Sequence, residues 1–185
     1  MAETRNALAS KITLIRHFKV DQTWGKYYNA DELRKAYLNY DSVGVKTYKR
    51  KLETSGIIVT SKMHRAKLTA EFLFNRKPDI SDIRLNEVPI VPFTEMSIRL
   101  PRMIWEIIGR SQWRMSIGRQ PETFSQTRER LNSLLDELIP LHDEITLVCH
   151  AWVILVLKKM LVKRGFEAPD LGFVHFAKPY EFQRK

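Results

Sequence analysis

The sequence predicts an α/β fold, a three-layer αβα sandwich whose mainly parallel sheet carries helices on both faces. Three observations predict it. Short apolar, β-branched runs alternate with longer segments whose apolar residues recur at helical spacing. The connections between them are short. Nor does any internal repeat or Ser/Gly- or Pro-rich linker divide the 185 residues, a length that suits one ordinary domain with a real core. One domain over 1–185 is therefore expected, with 1–10 as a flexible N-terminal tail.

In chain order, Ile12–Ile15 reads as a buried strand that breaks into Arg16 and His17. "NADELRKAYLNY" (29–40) has an Asn/Asp start and helical periodicity. "GIIVT" (56–60) is a second strand, and "SKMHRAKLTAEFLF" (61–74) an amphipathic helix with Met63, Leu68, Phe72 and Leu73 as core candidates. "IRLNEVPIV" (83–91) reads as a third strand that Pro89 ends or confines to an edge. "IRLPRMIWEIIGRSQW" holds a helix beginning near Pro101, and "PETFSQTRERLNSLLDELI" (121–139) places Leu131, Leu134, Leu135 and Leu138 on one face. "ITLVC" (145–149) is a fourth strand, "AWVILVLKKMLVKRG" (151–165) an apolar helix closed by basic residues and Gly165, and "GFVHF" (172–176) a last strand.

The composition, 44% apolar and 28% charged, is that of a globular chain. No apolar run approaches the ~20 residues of a membrane span, and "MAETRNALAS" lacks the apolar middle of a signal peptide. Cys149 is the only cysteine, so no internal disulfide forms. A cytoplasmic protein without a membrane partner is expected. The net charge of +10 suits nucleic-acid phosphates, a field that draws small anions into a cleft, or simply a solvated surface. The basic residues are scattered, and charge alone does not choose.

Three strands end in polar chemistry: Arg16-His17, Ser61 leading to Arg65, and His150 followed directly by a helix. Ligands of open α/β sheets bind beyond the carboxyl ends of the strands, where helix N-termini also favour anions. Two histidines and two arginines gathered there would form a phosphate pocket. Each has a plainer explanation when taken alone: a strand end meeting solvent, a helix-surface cation, a satisfied core histidine. Histidine spacing gives no metal site, and there is no Gly-rich phosphate loop. His64, His142 and His175 read as structural or surface residues.

The motifs "LIRHFKV", "SKMHRAKLTA", "LNE" (85–87) and "LVCHA", with "PETFSQTRERL" before the last long helices, resemble the histidine phosphatase superfamily, also called phosphoglycerate mutase-like. The resemblance runs from residue 12 to about 160, with four motifs in family order. It implies a single histidine-phosphatase-like domain and a metal-independent phosphatase acting on a phosphomonoester, with no cofactor. By position it makes His17 the nucleophile that becomes a phosphohistidine, and Arg16 and Arg65 the holders of the phosphate oxygens. His150, protonated among those oxygens, would stabilise charge. Glu87 would be the acid that protonates the leaving alkoxide and then activates water; Ala151 would contribute to substrate binding. Glu95 and Glu106 compete with Glu87 for the acid role. The residues themselves suit this chemistry: neutral imidazole is both nucleophile and leaving group near pH 7, and guanidinium forks match phosphate oxygens.

The sequence departs from the family pattern at Phe18, where glycine is usual, at Thr23, at "EVPIVP" after Glu87, and at Trp152, where smaller residues are common. These departures argue against mutase activity. They favour a phosphatase with an altered pocket, in which Phe18 would either narrow the space or redirect the turn, and leave room for a weak or inactive member. A non-catalytic phosphate-ligand or nucleic-acid binding protein on the same fold is the alternative, and a protein phosphohistidine phosphatase a third. A small-molecule phosphate ester is the favoured partner over nucleic acid. Trp24, Tyr27 and Trp105 are either pocket lining or a satellite core, and core is the favoured reading. Neither the particular substrate nor the oligomeric state is encoded in any motif.

Overall fold

The structure, a computed structural model, describes residues 8–47 and 49–184. Its elements in chain order are β1 (Lys11–Arg16), β2 (Tyr27–Tyr28), α1 (Ala30–Ser42), β3 (Ile57–Ser61), α2 (His64–Phe74), β4 (Ile80–Asp82), a 3-10 turn (Ile83–Leu85), β5 (Leu100–Pro101), α3 (Arg102–Met115), α4 (Phe124–Leu138), β6 (Glu144–Cys149), α5 (Ala151–Lys163), β7 (Phe166–Glu167) and β8 (Pro179–Arg184). They belong to two compact units. The first comprises the chain up to Lys19, Val45–Glu87 and Arg130 onward; the second comprises Val20–Gly44 and Val88–Glu129. Of the expected N-terminal tail, residues 1–7 lie outside the described residues. Ala9 is buried and donates its N–H to Ile139 O, and Ser10 donates to Asp143 O.

The first unit is the αβα sandwich. Its six-stranded sheet has the order β4-β3-β6-β1-β8-β7. The four strands β4, β3, β6 and β1 are parallel; at the other edge β8 runs antiparallel to β1, and β7 antiparallel to β8. Burial on both faces explains the near-continuous apolar runs of β1, β3 and β6. Between β1 and β6 the register pairs Ile15 with Val148 and Arg16 with Cys149; between β3 and β6 it pairs Thr60 with Val148. The carboxyl ends of all three strands therefore finish level with one another.

Helix α2 lies on this sheet through Ala66, Ala70 and Leu73, packed against Ile15, Ile58 and Val148. The two alanines let the helix approach closely. Helix α5 buries Val153, Ile154, Val156, Leu157, Met160 and Leu161, each large aliphatic side chain contributing roughly 1.5–3 kcal/mol. Just beyond its last residue and the Arg164 cap, Gly165 has a φ of +86° and provides the left-handed turn expected after a helix C-terminus.

Two strand expectations are corrected. Residues 83–91 form no strand, because the Asp82 carboxylate accepts the Arg84 N–H at 2.7 Å and curls the chain into a 3-10 turn. The short strand precedes it, as β4. Residues 172–176 are a loop with one isolated bridge, Arg16 to Phe176; the last strand is β8, where buried Tyr180 and Phe182 alternate with polar residues.

Gly56 opens the close approach of β3 to β6. A Cβ there would fall inside the Glu144 carbonyl, 2.5 Å from its carbon and nearer still to its oxygen. Since both atoms are backbone, neither can rotate away. Gly56→Ala is expected to destabilise the protein by roughly 3 kcal/mol, read as a lower urea midpoint; wild-type stability would show that the strand pair shifts at little cost.

In the second unit, β2 and β5 pair antiparallel. Ala30, Leu33 and Trp105 form its core with Tyr28, Tyr37, Phe93, Met96 and Leu100 around them. Trp105 donates its indole N–H to Tyr28 O at 2.8 Å, so it is core, as favoured. Helix α1 begins with a capping box. The Asn29 side chain accepts the Glu32 N–H at 2.9 Å, and the Glu32 carboxylate accepts the Asn29 N–H at 3.0 Å.

Candidate active site

The register of the first unit's sheet brings the polar strand ends together. Beyond β1 the ladder continues, the His17 N–H donating to Cys149 O at 3.0 Å. His17 and His150 then face each other with ring centroids 5.0 Å apart, both almost completely buried. Ser61, at the end of β3, bonds His150 Nε2 through its hydroxyl at 2.7 Å. His150 is the residue that caps α5, so the first-turn N–H groups of that helix, Ala151's included, open at the same edge.

The environment fixes the chemical state of His17. Its Nδ1 lies 2.6 Å from Phe18 O. A carbonyl only accepts, so Nδ1 carries the proton and Nε2 keeps its lone pair. Burial, and then the Arg65 and Arg16 cations, push the His17 pKa well below 6.5, against the opposing pull of the Phe18 carbonyl. The imidazole is neutral, with Nε2 as its unprotonated nitrogen. His150 is pushed the same way by burial, by His17 and by Arg65, Arg16 and Arg130, and its Nδ1 has no hydrogen-bond partner among the described residues. The expected protonation of His150 among phosphate oxygens needs the negative charge of those oxygens to offset this field.

Arg65 is 4% exposed in the first turn of α2. Thr69, one turn on, explains how it is held against β1. Its hydroxyl donates to Arg65 O at 2.6 Å and accepts the Phe18 N–H at 2.8 Å. Arg16 donates from Nη1 to Val174 O at 2.9 Å, and its guanidinium stacks over the Phe176 ring, 3.7 Å from the ring centroid. Phe18 does not line a pocket: its ring is fully buried beneath α2, edge-on to Phe72 at 5.7 Å. The expected narrowing by this ring is corrected accordingly.

Of the candidate acids, Glu87 belongs to the first unit, and its charge, after burial, helps push the Cys149 thiol pKa upward. Glu95 and Glu106 belong to the second unit and are ion-paired there: Glu95 with Arg34 and Arg119, Glu106 with Arg102. The contacts that sequence reasoning missed are those of Ser61 with His150, of Thr69 with the Phe18 amide, and of the 173–176 loop with Arg16. Ser61 and Thr69 were visible as motif letters. The loop gave no signal beyond its aromatic residues.

Both imidazoles must stay neutral in the fold but can charge once it opens, which fixes a pH dependence. The unfolded chain takes up their protons as pH falls below 6.5, while the folded chain resists until well below it. Their contribution to stability is complete above 6.5 and is lost as pH falls through that window. Urea midpoints are expected to drop steadily from pH 7 to pH 5, as the unfolding free energy falls by up to about 1.4 kcal/mol per pH unit for each histidine. The double variant His17→Asn with His150→Asn should flatten the dependence; an equally steep decline in that variant would assign it elsewhere.

The α/β fold thus gathers two imidazoles and two guanidiniums at the carboxyl edge of its sheet, a histidine-centred cluster. The sequence profile of the histidine phosphatase superfamily (branch 1) matches residues 45–175, well over half the chain, and the protein belongs to that superfamily. The matched region holds Ser61, Arg65, Glu87 and His150; Arg16 and His17 precede it. Among solved structures, the fold is similar to that of a mycobacterial glucosyl-3-phosphoglycerate phosphatase (18% identity, 83% of this chain and 80% of that chain, TM-score 0.52). It is also similar to the α-ribazole phosphatase from Shigella flexneri (19% identity, 82% and 79%, TM-score 0.53). No curated protein matches the sequence. Among the described residues, no helix is long and apolar enough to cross a membrane.

Proposed function

We propose that this protein is a cytoplasmic, metal-independent phosphatase that hydrolyses a small-molecule phosphomonoester through a phosphohistidine on His17. The observation that carries the reading is the pair of buried imidazoles, 5.0 Å apart, under the field of Arg16 and Arg65. His17 Nε2 attacks phosphorus in line with the ester oxygen, and the P–O bond breaks as the P–N bond forms. The Phe18 carbonyl, bonded to Nδ1–H, stabilises the positive charge the ring gains. Arg16, Arg65 and the Ala151 N–H hold the non-bridging oxygens, and their dense positive charge fits phosphoryl transfer, where positioning and electrostatics dominate. The arriving dianion also reverses the field at His150, allowing it to take a proton and donate to an oxygen.

Glu87 protonates the leaving oxygen, then takes a proton from the water that attacks phosphorus and frees His17. It is favoured over Glu95 and Glu106 because it belongs to the same unit as His17 and His150. Mutase chemistry is not part of this reading, because "EVPIVP" follows Glu87 in place of the basic run of the mutase branch.

The test is phosphate release from a panel of phosphate esters in the presence of chelator, with the labelled protein trapped during turnover. Release accompanied by an acid-labile, alkali-stable phosphoprotein is expected. No release and no labelling with any ester, including aryl phosphates and a phosphohistidine protein, would remove the reading.

A further inference from the structure

The loop beside Arg16 presents a feature that phosphate chemistry alone does not require. Phe173 is 65% exposed, although a phenylalanine side chain normally gains by burial. Its ring centroid lies 5.9 Å from the Arg16 guanidinium carbon, and the exposed ring of His175 stands edge-on to it at 5.2 Å. The backbone beneath is firmly held. Buried Tyr180 of β8 donates its hydroxyl to Phe173 O at 3.1 Å and accepts the His175 N–H at 2.8 Å, while Arg16 donates to the intervening Val174 O. An apolar ring kept in water on an immobilised backbone, next to a guanidinium that is already stacked on Phe176 from another side, has the geometry of a stacking platform.

We propose that Phe173, with the edge of His175, forms a subsite for an aromatic group on the substrate, so that the preferred ligands are phosphate monoesters bearing a planar ring close to the phosphate. This rests on Arg16 holding the phosphate, as proposed above. With the Phe173 centroid 5.9 Å from the Arg16 guanidinium carbon, this ring is within reach of the ester substituent of a phosphate that Arg16 holds. Offset or edge-on stacking then adds affinity that an aliphatic ester lacks. Because the ring is exposed, its removal leaves no cavity in the core.

Calorimetric binding of phenylphosphonate and methylphosphonate to the wild type and Phe173→Ala tests this without requiring turnover. Phenylphosphonate is expected to bind the wild type roughly two- to tenfold more tightly than methylphosphonate. Phe173→Ala should erase that advantage while leaving methylphosphonate binding unchanged, and Phe173→Trp should preserve it. Methylphosphonate binding with no phenyl advantage, or an advantage that survives in Phe173→Ala, overturns the subsite and leaves the phosphatase reading standing. Failure of both phosphonates to bind overturns the subsite together with the phosphate site on which it depends.

Discussion

Replacing His17 with alanine is expected to lower kcat for phosphate-ester hydrolysis by roughly 10⁴-fold or more and to abolish the acid-labile phosphoprotein. The magnitude follows from the role: with the attacking nitrogen gone, only electrostatic stabilisation and positioning remain, and water must attack the ester directly. A folded variant is expected, since the side chain is replaced by a smaller one and the Phe18 amide remains tied to Thr69. Circular dichroism and the urea midpoint establish that independently. Added imidazole offers a further readout, because the vacated space lies between His150 and Phe176, whose rings lie 5.0 and 5.8 Å from that of His17. Partial rescue by free imidazole would identify the missing group as a nucleophile, a result that a merely structural role for His17 does not produce. Wild-type turnover in His17→Ala would end the proposed mechanism.

The sequence made the site legible through a motif whose letters prove to have separate physical jobs. In "SKMHRAKLTA", Ser61 orients His150, Arg65 supplies the buried cation, Ala66 and Ala70 let α2 sit down on the sheet, and Thr69 ties that helix to the turn after His17. The core strands were equally readable, since β1, β3 and β6 are buried on both faces and carry runs of β-branched and other apolar residues. The failures occurred where short local contacts outweigh pattern. At 83–85, one carboxylate bonded to an amide two residues on converts an apolar, strand-like string into a turn. Strand β8 was hidden by its edge character: only Tyr180 and Phe182 face the core, and charged residues around them dilute the alternation. The second unit was visible as two helices, at 29–40 and near Pro101, and as aromatic composition, but not as a core of its own. Trp24, Tyr27 and Trp105 look alike in sequence, yet Tyr27 is 44% exposed and Trp105 is fully enclosed, a difference that only the tertiary neighbours decide.

Charge at residue 65 is expected to control both ligand affinity and the titration of the two histidines. Arg65 is nearly fully buried, and its positive charge is, after burial, the largest force lowering the His17 pKa; it acts likewise on His150. Arg65→Met keeps length and apolar packing but deletes the cation. Phosphate binding should weaken and kcat/KM fall by roughly 10²–10³-fold, the usual scale for a buried charged donor to a transition-state oxygen. Arg65→Lys should fall between, because it restores charge without the two-pronged donor geometry. With the cation gone, the histidine pKa values move up toward 6.5, narrowing the window in which acid destabilises the fold; the slope of stability against pH between 7 and 5 should therefore lessen in Arg65→Met and remain in Arg65→Lys. Burying the Arg65 guanidinium carries a desolvation cost that the methionine side chain avoids, so Arg65→Met should be as stable as wild type at neutral pH. Loss of activity with the pH slope unchanged would place Arg65 away from the imidazoles, and the assignment of a single phosphate-holding cluster would fall with it.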